Sequence, residues 1–126
     1  MLFRSKPELL DQAIAILTKA DTIYLVGQRR SYPVAAYLGY AFAQLGVRSV
    51  LAASPVGIGS EIVGMAGPKD AALAISFAPY APESLEQSAR LAERGARLVA
   101  ITDSPFSPLI QHAKCWFEIV ETDFDG

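Results

Sequence analysis

Hydroxyl groups and a pair of adjacent arginines gather in three short loops of this 126-residue chain, each directly after an apolar run. The loops are Gly27-Gln28-Arg29-Arg30-Ser31, then Ser76 through Tyr80 to Pro82-Glu83, then Thr102-Asp103-Ser104 through Ser107-Pro108-Leu109. Hydroxyls both donate and accept hydrogen bonds, and guanidinium forks suit phosphate or carboxylate oxygens. The combination suits a small polar, anionic molecule. Gln28, Arg29, Arg30, Ser31, Ser76, Tyr80, Glu83, Thr102 and Ser104 are therefore the candidate ligand-binding residues. Five of them also have a plainer use: Ser31 and Ser104 as helix caps, Glu83 as a first-turn carboxylate, Arg29 and Arg30 as a solvated turn. Tyr80, between two prolines, reads as a pocket wall or a subunit contact.

Proton transfer is the competing chemistry. An enzyme that moves a proton between carbons needs a positioned base and acid, and the candidates are Glu61, Glu83 and His112. His112 is the only histidine and belongs to a short predicted helix, where a surface or packing role is the expectation. The reading is therefore of a non-catalytic binding domain. No Cys/His/carboxylate grouping has metal-ligand spacing, so neither a metal nor another cofactor is expected. The one cysteine, Cys115, stands beside Trp116 and Phe117 and is expected in the core.

Positioning three loops at one place requires alternating strands and helices. Leu9, Leu10, Ala13, Ile14, Leu17 and Ala20 predict an amphipathic helix from about Lys6 to Ala20, with Pro7 in its first turn. A strand over Thr22–Val26, a helix from Pro33 stopped by Gly46, and a strand over Val47–Ala52 follow; Val34, Ala35, Leu38, Ala41, Phe42 and Leu45 form that helix's apolar side. The glycine-rich stretch from Ser54 to Pro68 reads as a loop with a short helix at Ser60–Met65. Strands from Ala71 and Arg97, a helix at Pro82–Arg94, a short helix at Pro105–Ala113 and a last strand at Cys115–Val120 complete the pattern. Strands apolar on both faces argue a parallel sheet covered by helices on each side, an α/β fold. In such sheets ligands sit beyond the carboxyl ends of the strands, beside helix N-termini.

Hydrophobic residues make up 52% of the chain and charged residues 19%, the balance of one well-packed domain. The net charge is −2 with scattered basic residues, so no stripe for nucleic acid is present. No apolar run reaches the roughly 18 residues of a membrane span and no signal-peptide layout opens the chain, so a cytoplasmic protein is expected.

Taken in order, these motifs resemble the sugar isomerase, or SIS, domain, most closely the ligand-sensing domain of bacterial transcription regulators of the MurR/RpiR type. The resemblance runs from about Ala20 to Gly126. It rests on Gly27 with Ser31, Ser76 with Pro82-Glu83, Thr102-Asp103-Ser104 with Ser107-Pro108-Leu109, and the closing Glu121-x-Asp123. It implies a flavodoxin-like three-layer α-β-α sandwich whose five-stranded parallel sheet has the order 2-1-3-4-5, and a sugar phosphate or related anion bound at the strand ends. It further implies a homodimer or tetramer that reaches DNA only through a domain outside this chain. By the same resemblance, residues 1–126 are expected to be a single SIS domain without the regulators' helix-turn-helix domain and without the family's final helix. An isomerase and a ligand-free dimerisation module are the alternatives. The chain departs from the pattern in two loops. Arg29 stands where the first loop commonly has its second glycine, and Ala78, Pro79 and Ala81 replace a serine, a glycine and a threonine of the second.

Overall fold

The runs that are apolar on both faces become the interior strands of one sheet. The computed structural model describes residues 2–4, 7–53 and 57–120. Its elements in chain order are β1 (Leu2–Arg4), α1 (Pro7–Lys19), β2 (Ile23–Val26), α2 (Tyr32–Gln44), β3 (Ser49–Leu51), α3 (Gly59–Val63), β4 (Ala71–Ser76), α4 (Pro82–Glu93), β5 (Arg97–Thr102) and β6 (Ala113–Val120). Two 3₁₀ turns, Arg29–Ser31 and Pro108–His112, precede α2 and β6. The sheet order is β1-β6-β5-β4-β2-β3, and β2 to β6 are mutually parallel. The five parallel strands thus take the expected order 2-1-3-4-5.

Side-chain alternation divides the core into two layers. Tyr24, Val26, Ala72, Ala74, Leu98 and Ala100 face α3 and α4, whereas Ile23, Leu25, Leu73, Val99, Cys115 and Phe117 face α1 and α2. Cys115 is buried as expected, with its thiol 3.3 Å from the Leu9 carbonyl. Among the described residues no helix is long and apolar enough to cross a membrane.

Several boundaries differ from the sequence reading. A sixth strand, β1, pairs antiparallel with β6 through Leu2↔Val120, Phe3↔Ile119 and Arg4↔Glu118. The second parallel strand starts at Ser49 rather than Val47, because the Val47 N–H instead closes α2 by bonding the Phe42 carbonyl at 2.8 Å, with Gly46 at φ 75°. The helix expected at Pro105–Ala113 is only the 3₁₀ turn. Its cap is Ser107, whose Oγ accepts from the Leu109 N–H at 3.3 Å, while Ser104 Oγ accepts from Phe106 N–H in the preceding turn. In α1, Ala13 and Ile16 are buried and Leu9 and Leu17 pack against the core, while Leu10 and Ile14 are exposed; in α2, Ala35 is buried and Leu38 and Phe42 pack against the core, while Val34 and Leu45 are exposed. The Glu121-x-Asp123 motif, Lys6 and the start of the glycine-rich loop at Ser54 lie outside the described residues.

Candidate functional site

The three loops meet because β2, β4 and β5 are adjacent and parallel, with Ser76 directly opposite Thr102 at the strand ends. The β2–α2 turn depends on Gly27: a Cβ there would lie 2.9 Å from Ala35 Cβ and 3.0 Å from the Ser31 carbonyl oxygen, so only glycine lets α2 approach. Arg29 then takes φ 54°, left-handed backbone in a residue with a Cβ. No side chain caps α2 or α4, whose N-termini carry partial positive charge at this end of the sheet. Ser31 therefore does not serve as the cap that its position suggests; it is buried beside Gly27.

One half of the site is a pocket of about 290 Å³ lined by Gln28, Gly57, Gly59, Ser60, Glu83, Glu86 and Gln87. Gln28 Nε2 donates to Gln87 Oε1 at 3.2 Å, and Gln87 Nε2 donates to the Ala52 carbonyl at 3.3 Å, so two amides tie the ends of β2 and β3 to α4. Carboxylates and amides dominate this lining, which suits the hydroxyls of a polyol. A wider depression of about 830 Å³, between α1 and α2 and lined in part by Leu17, Phe42 and Val47, lies at the opposite end of the sheet, away from the loops.

The other half is a polar latch across the β4–α4 and β5–β6 loops. The Asp103 carboxylate accepts from the Tyr80 hydroxyl at 2.7 Å and from the Ala78 N–H at 2.9 Å. Arg30 donates from Nη2 to the Ala78 carbonyl at 2.6 Å, with its guanidinium 5.8 Å from the centre of the Phe77 ring. Beneath the latch, Thr102 Oγ1 donates to the Ser76 carbonyl at 2.8 Å. Burial would raise the Asp103 carboxyl, but the bonds from Tyr80 and Ala78 and the nearby Arg30 charge outweigh it and hold the group below the usual carboxylate range. Burial and the bond to Asp103 push the Tyr80 phenol up. The Asp103 contribution to stability is thus present above about pH 4 and fades as pH falls through its lowered folded value. The Tyr80 contribution is present below about pH 10 and fades as pH rises through its raised one.

The candidate residues thus separate. Gln28 and Glu83 line the pocket, Arg30 and Tyr80 belong to the latch, and Ser76 and Thr102 are buried beneath it. Arg29 is exposed on the turn, and Ser104 is spent on its own loop. Asp103, Glu86, Gln87 and Ser60 were not among the candidates. The spacing of Glu83, Glu86 and Gln87, three and four residues apart on one helix face, was the available signal for two of them. Of the acid–base candidates, Glu61 and Glu83 are exposed near the strand ends, but His112 immediately precedes the first residue of β6 and so lies at the amino end of the parallel strands. Among the described residues no cluster of His, Cys, Asp and Glu could hold a metal ion.

The family model described as the SIS domain matches residues 16–123. The chain belongs to the SIS domain family. No curated protein is similar enough to count as a match. Among solved structures, this SIS domain is similar to the sugar isomerase domain of an RpiR transcription factor from Sphaerobacter thermophilus, at 26% identity and a TM-score of 0.88 over 96% of this chain and 68% of that one. It also resembles the Vibrio vulnificus NanR protein, solved with ManNAc-6P, at 18% identity and a TM-score of 0.84 over 95% of this chain and 44% of that one. A hypothetical protein of Methanococcus jannaschii, with an inferred function of 3-hexulose-6-phosphate isomerase, shares the fold at 17% identity and a TM-score of 0.78, over 92% of this chain and 62% of that one. A transcription factor's sugar isomerase domain, a ManNAc-6P-bound protein and an inferred isomerase therefore share this architecture.

Proposed function

We propose that this SIS domain binds a carbohydrate derivative, a sugar phosphate by class, and serves as the sensing and dimerisation domain of a cytoplasmic transcription regulator that contacts DNA through a separate domain. The observation that carries the reading is the convergence of three strand-end loops on a polar pocket beside the uncapped N-termini of α2 and α4. The fold shared with an RpiR sugar isomerase domain supports it. Geometry speaks against a Glu83–His112 acid–base pair within one chain. Residues of β5 from Arg97 to Thr102 separate the two ends of the sheet by roughly 15 Å at the usual strand rise, so His112 cannot join Glu83 in one proton transfer.

Dimerisation is supported by α2. No charged residue occurs from Ser31 to Val47, yet Tyr37 is 67% and Tyr40 61% exposed. A two-fold axis sets the same surface patch of both copies against each other, so an uncharged aromatic face suits a second copy of this chain.

The test is a thermal-shift series with sugar phosphates, amino-sugar phosphates, sugar acids, unphosphorylated sugars and inorganic phosphate, repeated on Gln28→Ala and Arg30→Ala. A ligand at a hundred times its Kd is expected to raise Tm by roughly 10 °C, and both variants should reduce the shift. Silence with every compound would favour the ligand-free dimerisation module instead.

A further inference from the structure

Asp103 sits where a bound oxyanion would sit. Two donors from the β4–α4 loop converge on the two different oxygens of its carboxylate: the Tyr80 hydroxyl on Oδ1 at 2.7 Å and the Ala78 N–H on Oδ2 at 2.9 Å. A cation from the β2–α2 turn stands against this loop, because Arg30 reaches the Ala78 carbonyl at 2.6 Å and its charge helps hold the Asp103 carboxyl ionised. A backbone N–H, a hydroxyl and a guanidinium are the donor set that proteins use for phosphate and carboxylate groups. Here a side chain 25 residues on from Ala78 occupies the N–H and the hydroxyl, with the guanidinium nearby. From Phe77 to Ala81 the only side-chain hydroxyl is that of Tyr80, the one that Asp103 occupies.

We propose that Asp103 is a built-in competitor: the donors of Ala78 and Tyr80, with the Arg30 charge beside them, form an oxyanion site that Asp103 fills in this structure, and that the phosphate or carboxylate of a ligand must take from it. The proposal rests on the reading that the ligand is an anionic carbohydrate derivative, and it names the residue that sets how strongly the anionic group is held. A tethered carboxylate competes at high effective concentration, so only a ligand that gains further contacts displaces it. The pocket lined by Gln28, Glu83 and Gln87 provides such contacts for the remainder of a sugar. Displacement has a built-in output. Asp103 follows Thr102, whose hydroxyl holds the Ser76 carbonyl, and it precedes the turn capped by Ser107, so a released Asp103 frees the loop that leads from β5 to β6. Ligand-bound and latched arrangements are then two discrete states that a ligand can bias.

The test is an amide-resolved NMR titration of the isotopically labelled domain with inorganic phosphate and with glucose 6-phosphate. It compares wild type, Asp103→Asn, Asp103→Ala and, as a control for net charge, the exposed Glu93→Gln. Both Asp103 variants are expected to bind phosphate about tenfold tighter than wild type and Glu93→Gln, with the largest shifts at the amides of Phe77, Ala78 and Tyr80. Asp103→Asn is nearly isosteric and retains an acceptor for the Ala78 N–H, so it decides the matter if Asp103→Ala does not fold. Equal phosphate affinity in wild type and Asp103→Asn, or shifts centred elsewhere, would make Asp103 only a loop brace and overturn the proposal. Tighter phosphate binding by Asp103→Asn in a domain that recognises no sugar derivative would leave this site standing and remove the sensor reading. Glucose 6-phosphate bound equally by both would do the reverse.

Discussion

Arg29 carries a cost that its neighbours impose. Gly27 lets α2 come close, and the tight turn that follows leaves position 29 at φ 54°, where a side chain costs about 1–2 kcal/mol. Glycine would remove that cost while adding backbone entropy to the unfolded chain of about 0.5–1 kcal/mol. Arg29→Gly is therefore expected to stabilise the domain by about 0.5–1 kcal/mol and raise Tm by a few degrees, whereas Arg29→Ala should gain nothing. Thermal unfolding of the three proteins decides it; a lower Tm for the glycine variant would mean that the arginine side chain contributes contacts worth more than the strain. The same scale shows why Asp103 was hard to read from sequence. Between Thr102 and Ser104 it is one polar residue among several in a turn, and its partners Ala78 and Tyr80 become neighbours only through the β4–β5 register that sets Ser76 opposite Thr102.

Elements were legible in proportion to how far local sequence determines them. The interior strands announce themselves because β4 is buried along its whole length and β2 likewise, so no polar residue interrupts the run. The ends of α2 and α4 follow from Pro33 and Pro82 in the first turns and from Gly46 and Gly95 past the last, both with positive φ. By contrast β1 has three residues and no alternation long enough to read; its existence is decided by pairing with β6, more than a hundred residues later. Where α4 crosses the sheet, Ser84 and Ser88 are fully buried against a surface rich in alanines, and among the described residues neither hydroxyl has a hydrogen-bond partner. Small side chains let the helix lie close, but an unpaired buried hydroxyl costs free energy. Ser88→Ala is therefore expected to stabilise the fold by about 1 kcal/mol, seen as a higher urea midpoint at unchanged m-value. A lower midpoint would indicate that the hydroxyl is satisfied in solution by a water molecule.

At the scale of the whole molecule the polar end and the apolar flank divide the labour. The loops at the carboxyl ends of the strands hold the pocket and the latch, while the exposed face of α2 holds Tyr37 and Tyr40. If that face joins two copies, light scattering at micromolar concentration should give twice the 13.5 kDa chain mass. Tyr37→Glu combined with Tyr40→Glu should halve it, because four carboxylates would be brought together across the axis. A wild-type monomer, or a dimer indifferent to both substitutions, would remove α2 as the joining face. The sheet itself points the same way. Its outermost strands, β1 and β3, are each only three residues long, one antiparallel and the other parallel to its neighbour. Among the described residues β1 reaches β6 only at Glu118, Ile119 and Val120, so the backbone that another chain could zip onto is confined to the Ala113–Phe117 edge of β6 and the outer edges of two stubs, segments too short to favour open-ended, fibre-like growth.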